Sequence, residues 1–283
     1  AEFVQFHPTT FHFRHAPNFL ISEAVRGAGA KLLDSHGNPF MQRFNPEWKD
    51  LAPRDIVARS IHMIMLEQGV KNVYLDLASY MAPAEIRDHF PSIYEQLLSY
   101  GVDISSEPIP VVPAAHYSVG GVWVDEWGRT TINQLYAAGE VSCTGLHGAN
   151  RLGSASMLEG LVWGQRVAQH ICENISEIEF LHEKIIPRWQ LADEKLPDLA
   201  LIQQDMSSIQ HIMWNYVGLI RTTKRLKRAW NELRNLEFQI EEFYRETRIT
   251  DSLIGLRNAV RSALIITTAA WTNKKSIGCH YIE

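Results

Sequence analysis

Four short stretches of this chain concentrate the side chains that bind or protonate carboxylates. The first is Gln5-Phe6-His7-Pro8-Thr9 and the second Ser22-Glu23-Ala24-Val25-Arg26-Gly27. The third is Leu51-Ala52-Pro53-Arg54-Asp55, and the fourth runs from His116 through Glu140 to His147, Asn150 and Arg151. Arginine grips a carboxylate with a planar two-donor fork, and histidine adds a further donor. Arginines converging with histidines are therefore what recognition of a dicarboxylate requires. The same residues also have a structural reading. A lone histidine such as His7 is commonly a satisfied structural residue, and Arg26 and Arg54, each near a helix start, are placed to make surface ion pairs. The residues taken alone leave the two readings level.

Other signals carry less. Gly27-Ala28-Gly29 opens like a dinucleotide fingerprint but continues Ala30-Lys31-Leu32, so the third glycine is missing, and no other GxGxxG occurs. Arg221, Lys224, Arg225 and Arg228 make a basic stripe at helical spacing, which a solvated or ion-paired helix face explains better than a nucleic-acid surface. The 12 histidines include no HExxH, and no His/Cys group has metal-ligand spacing. Cys143, Cys172 and Cys279 form no CxxC, which points away from a disulfide framework and towards a reducing compartment.

The elements that must hold these groups follow from periodicity. Glu2 to Phe6 is expected as a strand, Ser22 to Leu32 as a helix with Ser22 as N-cap, and Arg54 to Gln68 as a helix following Pro53. Val73 to Leu77 is expected as a strand, and Ala84 to Tyr100 as helix interrupted at Pro91. A strand, a turn at Glu126 to Gly128 and a second strand at Leu135 to Ala138 lead to a Gly-rich loop and a helix over Ser154 to Glu173. Strand, Gly-rich loop and helix N-terminus form a common cofactor-facing arrangement. From about Pro187 onward the chain is expected to be a small helical bundle, with helical spacing over Ile209 to Thr247 and Leu253 to Trp271. The 283 residues carry 46% hydrophobic and 21% charged side chains and a net charge of -5, an ordinary globular composition without an electrostatic footprint for nucleic acid. No run approaches the roughly 18 apolar residues of a membrane span, so no membrane partner and a cytoplasmic location are expected.

QFHPT, SEAVRGAGA, LAPRD, HYSVGGVWVD…GRT and LYAAGEV…HGANRLGSASMLEGLV occur here in one order. That order resembles the succinate dehydrogenase/fumarate reductase flavoprotein family over nearly the whole chain. TGLHGANRL, LAPRDIVAR and YVGLIRTTKRL resemble its L-aspartate oxidase branch, because respiratory members usually carry serine where Pro53 stands and a different stretch at Thr144-Gly145-Leu146. The resemblance implies an α+β capping domain over residues 1–116, the closing segment of an α/β FAD-binding domain over 117–175 and an all-α helical C-terminal domain over 176–283. It also implies that the Gly-fingerprint part of the FAD domain precedes these residues and that the pattern continues past residue 283. The chain would then be about the second half of an enzyme, expected to be inactive and to bind FAD weakly by itself.

What the resemblance implies for chemistry is oxidation of L-aspartate to iminoaspartate with electrons passing through FAD to O2 or fumarate, the first step of NAD biosynthesis, with a functional link to quinolinate synthase. His7, His116 and Arg151 would hold the substrate carboxylates, with Gln5 and Ser22 adding hydrogen bonds and Glu23 meeting the amino group. Arg54 would be the clamp that also delivers a proton, although an arginine acid needs an acidic neighbour to re-protonate it. Glu140 would bind the FAD ribose, and Asn150, Ser156 and Met157 would line the flavin. Three positions depart from the usual pattern: Ala28 for a common glutamate, Ala155 for asparagine, and Ile277 for arginine. Two other readings compete. One is a respiratory-type flavoprotein subunit. The other is a non-catalytic helical interaction module, supported only by the basic stripe.

Overall fold

A computed structural model of the chain describes residues 1–13, 16, 18–177, 185–187 and 195–283. The described residues form two units, one of Gln5–Tyr117 and one of Ala1–Val4 with Ser118–Glu283.

In the first unit a four-stranded sheet has the order β1-β4-β3-β2, with β1 at Val4–Phe11, β2 at Lys31–Leu33, β3 at Val73–Asp76 and β4 at Ile109–Ser118. β3 pairs antiparallel with both β2 (Leu32 opposite Leu75) and β4 (Val73 opposite Val111). The expected helix Ser22–Leu32 is corrected. Helix α1 covers only Glu23–Gly27, and Lys31–Leu33 is strand. Ser22 does cap α1, its hydroxyl accepting from the Ala24 N–H. Gly29 then takes φ 108°, a conformation that a side chain disfavours, and turns the chain into β2.

Helix α2 is the short Met41–Phe44, and α3 runs over Arg54–Gln68, the range expected. Pro53 stands before its first turn, and Gly69 at φ 65° closes its end. Its apolar stripe, including Val57, Ile61 and Ile64, packs into a core with Ile21, Val25, Leu32, Leu75, Leu97 and Ile109. The expected break near Pro91 falls at Phe90, between α4 (Pro83–His89) and α5 (Pro91–Leu98).

In the second unit β5 (Val122–Trp123) pairs in parallel with β6 (Ser142–Cys143). The expected strand at Leu135–Ala138 is corrected: it makes one isolated bridge, Arg129 to Tyr136, and the partner of β5 is β6. The turn appears as expected, with the Asp125 carboxylate accepting from the Trp127 and Arg129 N–H groups. Helix α6 spans Ala155–Asn174. Then α7 (Leu199–Val217), α8 (Thr223–Glu246) and α9 (Asp251–Thr272) share a core of Ile202, Ile209, Leu226, Leu233, Ile240, Leu253, Leu256 and Val260. Asp198, Thr222 and Thr250 each cap one of these helices through a side-chain oxygen. The part of the expected helical region at 188–194 lies outside the described residues. Among the described residues no helix is long and apolar enough to cross a membrane.

Candidate active site

Within the Gln5–Tyr117 unit, two sheet neighbours bring two histidines together. Gln5, His7 and Thr9 lie on one face of β1 and all are buried. His116 stands on β4, and the two imidazoles meet edge to face, with ring centroids 5.4 Å apart. The Thr9 N–H donates to His7 Nδ1 at 3.3 Å, so the neutral ring carries its proton on Nε2. Burial, then the charges of Arg54, His116 and Arg26, push the His7 pKa down to about 3. At neutral pH His7 is therefore a neutral donor.

The guanidinium groups come from helix starts. Arg54 is the first residue of α3, and its Nε donates to Glu23 Oε2 at 2.9 Å. The expectation that Arg26 makes a surface ion pair is corrected, since only 1% of it is exposed. Its Nη1 donates to the Asp50 carbonyl, and its Nη2 lies 3.9 Å from Glu23 Oε1. Arg26 Nε and Nη2 have no hydrogen-bond partner in this structure, an arrangement a protein tolerates poorly unless a ligand or water completes it. Burial pulls the Arg26 pKa down, while Glu23 opposes that fall. Glu23 thus links two cations, one at each carboxylate oxygen. Arg26 is the residue the sequence reading left out of the site. Its position three residues after Glu23 was a signal, but its burial was not readable.

Ser22 is committed to capping α1 and Glu23 to Arg54. Gln5 lies two residues before His7 on the same strand face.

Within the second unit, β6 leads through the Gly-rich loop into α6. The Glu140 carboxylate accepts from the Ser118 N–H at 2.9 Å, and the residue is exposed. Arg151 Nη1 donates to Ser156 Oγ at 2.8 Å, and that hydroxyl donates to the Gly153 carbonyl. Ser156 therefore has its side chain occupied and offers a ligand its backbone. Ser154 caps α6 without a side-chain hydrogen bond; the Ala155 N–H donates to the Leu152 carbonyl at 3.1 Å, and the next N–H groups, at Ser156 and Met157, remain as donors at the helix start. Met157 is 77% exposed beside them. Beneath the loop, Glu159 is 3% exposed. It accepts from the Thr144 hydroxyl and, at 2.9 Å, from His147 Nε2. Asn150 Oδ1 receives the Cys279 thiol at 3.3 Å. Neither Glu159 nor Cys279 was singled out by sequence.

The basic stripe is not one surface. Arg221 is buried, while Arg228 pairs with Glu232 at 2.7 Å and stacks over Tyr216.

Comparison with known proteins gives these groups a context. The FAD binding domain family model matches residues 1–157, and the fumarate reductase flavoprotein C-terminal model matches 206–283. L-aspartate oxidase of Yersinia pestis is 46% identical over 281 residues, covering 99% of this chain and 52% of that protein. The chloroplastic L-aspartate oxidase of Oryza sativa subsp. japonica is 39% identical, covering 100% and 47%. The chain spans about half the length of the curated relatives it matches. Among solved structures, an E. coli quinol fumarate reductase matches with TM-score 0.82 at 27% identity, over 100% of this chain and 53% of that one. Mycobacterium smegmatis Sdh1 matches with TM-score 0.76 at 30% identity, over 100% and 49%.

Proposed function

Because this chain belongs to the FAD binding domain family, we propose that it serves an FAD-dependent L-aspartate oxidase, converting L-aspartate to iminoaspartate with electrons passing to O2 or fumarate. The observation that carries the reading is the pair of buried His7 and half-buried His116 beside Arg26 and Arg54, a concentration of donors suited to a small carboxylate. Residues 1–116 act as the capping domain, 117–175 as the closing part of the FAD domain and 176–283 as the helical domain. The product imine feeds quinolinate synthase and so NAD biosynthesis, in the cytoplasm.

The second unit fits FAD. Glu140 offers an exposed carboxylate for the ribose hydroxyls, and Asn150 stands on the Gly-rich loop. The uncapped first turn of α6 at Ser156 and Met157 presents backbone donors and a positive dipole end for the electron-rich edge of the ring. When bound, FAD supplies the hydride acceptor. The chain supplies positioning and proton transfer. His7 donates from Nε2 to a substrate carboxylate oxygen, His116 and Arg151 hold carboxylates, and Gln5 and Ser22 support them.

Arg54 clamps the substrate and, in the direction of fumarate reduction, gives a proton to carbon. Glu23, 2.9 Å from Arg54 Nε, is the acidic neighbour that returns that proton, with Arg26 behind it. A second reading rests on the same contact. With one carboxylate oxygen of Glu23 committed to Arg54, Glu23 is less available to an amino group, which favours a plain dicarboxylate such as succinate or fumarate.

Anaerobic bleaching of the flavin in the FAD-loaded holoenzyme separates the two. Bleaching by L-aspartate, with little by succinate, is the expected result. Bleaching by succinate alone establishes the second reading, and bleaching by neither overturns both.

A further inference from the structure

The turn that follows the helical bundle is built against the Gly-rich loop. Gly278 has φ 53°, and a Cβ at that position would overlap the Ala149 carbonyl. The Cys279 N–H donates to the same carbonyl at 2.9 Å, and its Sγ donates to Asn150 Oδ1 at 3.3 Å. Two consecutive residues of the turn therefore fit the backbone of Ala149 and the side chain of Asn150. The turn is closed by reciprocal backbone bonds between Ile277 and His280, at 2.8 and 3.0 Å.

It is also tied to the bundle from behind. His280 is buried, accepts from Arg221 Nη1 at 2.7 Å through Nδ1 and donates from Nε2 to the Asn273 carbonyl at 3.1 Å. Arg221 in turn donates from Nε to the Val217 and Gly218 carbonyls at the end of α7. Its backbone bonds Tyr281 and Glu283 on the strand of chain beyond the turn.

We infer that Gly278 and Cys279 are positioning residues for the cofactor: the turn, anchored on Arg221 through His280, fixes the Ala149-Asn150 peptide and orients the Asn150 carboxamide. This rests on the reading that the Gly-rich loop faces FAD. The physical content is that holding Oδ1 with a donor sets which way the amide group points. Holding the preceding carbonyl sets the peptide plane from which the side chain leaves. The bundle thereby contributes to the flavin site without supplying a residue that touches it.

The test removes FAD from the holoenzyme and titrates it back, reading the dissociation constant, the visible circular dichroism of the bound flavin and the melting midpoint of the apoprotein. Cys279→Ala is expected to weaken FAD roughly three- to tenfold and change the dichroism at an unchanged apoprotein midpoint, the size of one lost hydrogen bond. Cys279→Ser, whose hydroxyl can donate to Asn150, is expected to restore both. Gly278→Ala is expected to weaken FAD by at least about tenfold through forced displacement of the loop, and the Cys279 pair decides the question even where Gly278→Ala does not fold. Wild-type affinity and dichroism in Cys279→Ala would overturn the inference. An unsubstituted protein that takes up no FAD overturns the underlying reading instead, before any variant is compared.

Discussion

In the proposed reaction Arg54 is the residue that matters most, because its Nε is fixed by Glu23 and it stands at the positive end of the α3 dipole. A lysine at that position keeps the charge but loses the planar fork and the Nε–Glu23 bond. Turnover of the holoenzyme is expected to fall at least about 100-fold in Arg54→Lys, the scale of losing one aligned transition-state donor. Near-normal turnover would show that charge alone suffices and that the fork and its proton route are not used.

His7 yields a prediction of the opposite kind, one of insensitivity. Its pKa of about 3, against an ordinary 6.5, makes it neutral across the working range, so turnover should show no His7 titration between about pH 5 and 9. Stability should respond instead. The unfolded chain binds a proton at His7 that the folded chain refuses between pH 6.5 and about 3, so stability is full above the higher value and declines as the pH falls. His12 and His280, both pulled downward mainly by burial, act in the same sense. His7→Gln should flatten part of the acid decline in melting temperature between pH 7 and 4. An unchanged slope would mean that His7 is protonated in the folded protein.

At the scale of elements, β6, the loop to Gly153 and α6 act as one device because Glu159 joins its parts. A single buried carboxylate takes the Thr144 hydroxyl on one oxygen and His147 Nε2 on the other. Glu159→Gln replaces one acceptor with a donor and leaves one of those two donors facing another donor. The expected result is a destabilisation of about 1–3 kcal/mol in thermal or denaturant unfolding, together with weaker FAD. Equal stability of Glu159→Gln and wild type would show that the loop is held by other contacts.

Elements were legible where local chemistry fixes them. Pro53, the apolar spacing of α3 and Gly69 define that helix within its own residues. Elements governed by distant partners were not. Strand β4 carries His116 but contains Pro110 and Pro113, which argue against an interior strand. It survives because Pro110 contributes its carbonyl, accepting from the His12 N–H at 2.9 Å. The Ser22–Leu32 stretch has helical composition, yet Lys31–Leu33 gains more by pairing with β3. Of the candidate site residues, His7, His116 and Arg54 were named from the ordered motifs. Arg26 burial and the contact of Cys279 with Asn150 were not, because both depend on residues far away in sequence that only the fold brings together.

Among the described residues the buried apolar side chains form two cores, while a set of apolar residues on and around α6 stays exposed. Leu152 in the loop before α6 and Met157, Leu158 and Leu161 in its first two turns are all strongly exposed, as are Trp123, Val141 and Leu146 of the same unit. An apolar set of this extent is uncommon on a monomeric surface and drives association. The 283-residue chain by itself is therefore expected to self-associate with rising concentration, measured as mass by light scattering or sedimentation. Leu158→Glu with Leu161→Lys, both on solvent-facing positions of α6, should lower the associated mass while leaving the melting temperature nearly unchanged, because neither side chain is in a core. A chain that stays monomeric at high concentration without these substitutions would show that the exposed α6 residues are not adhesive.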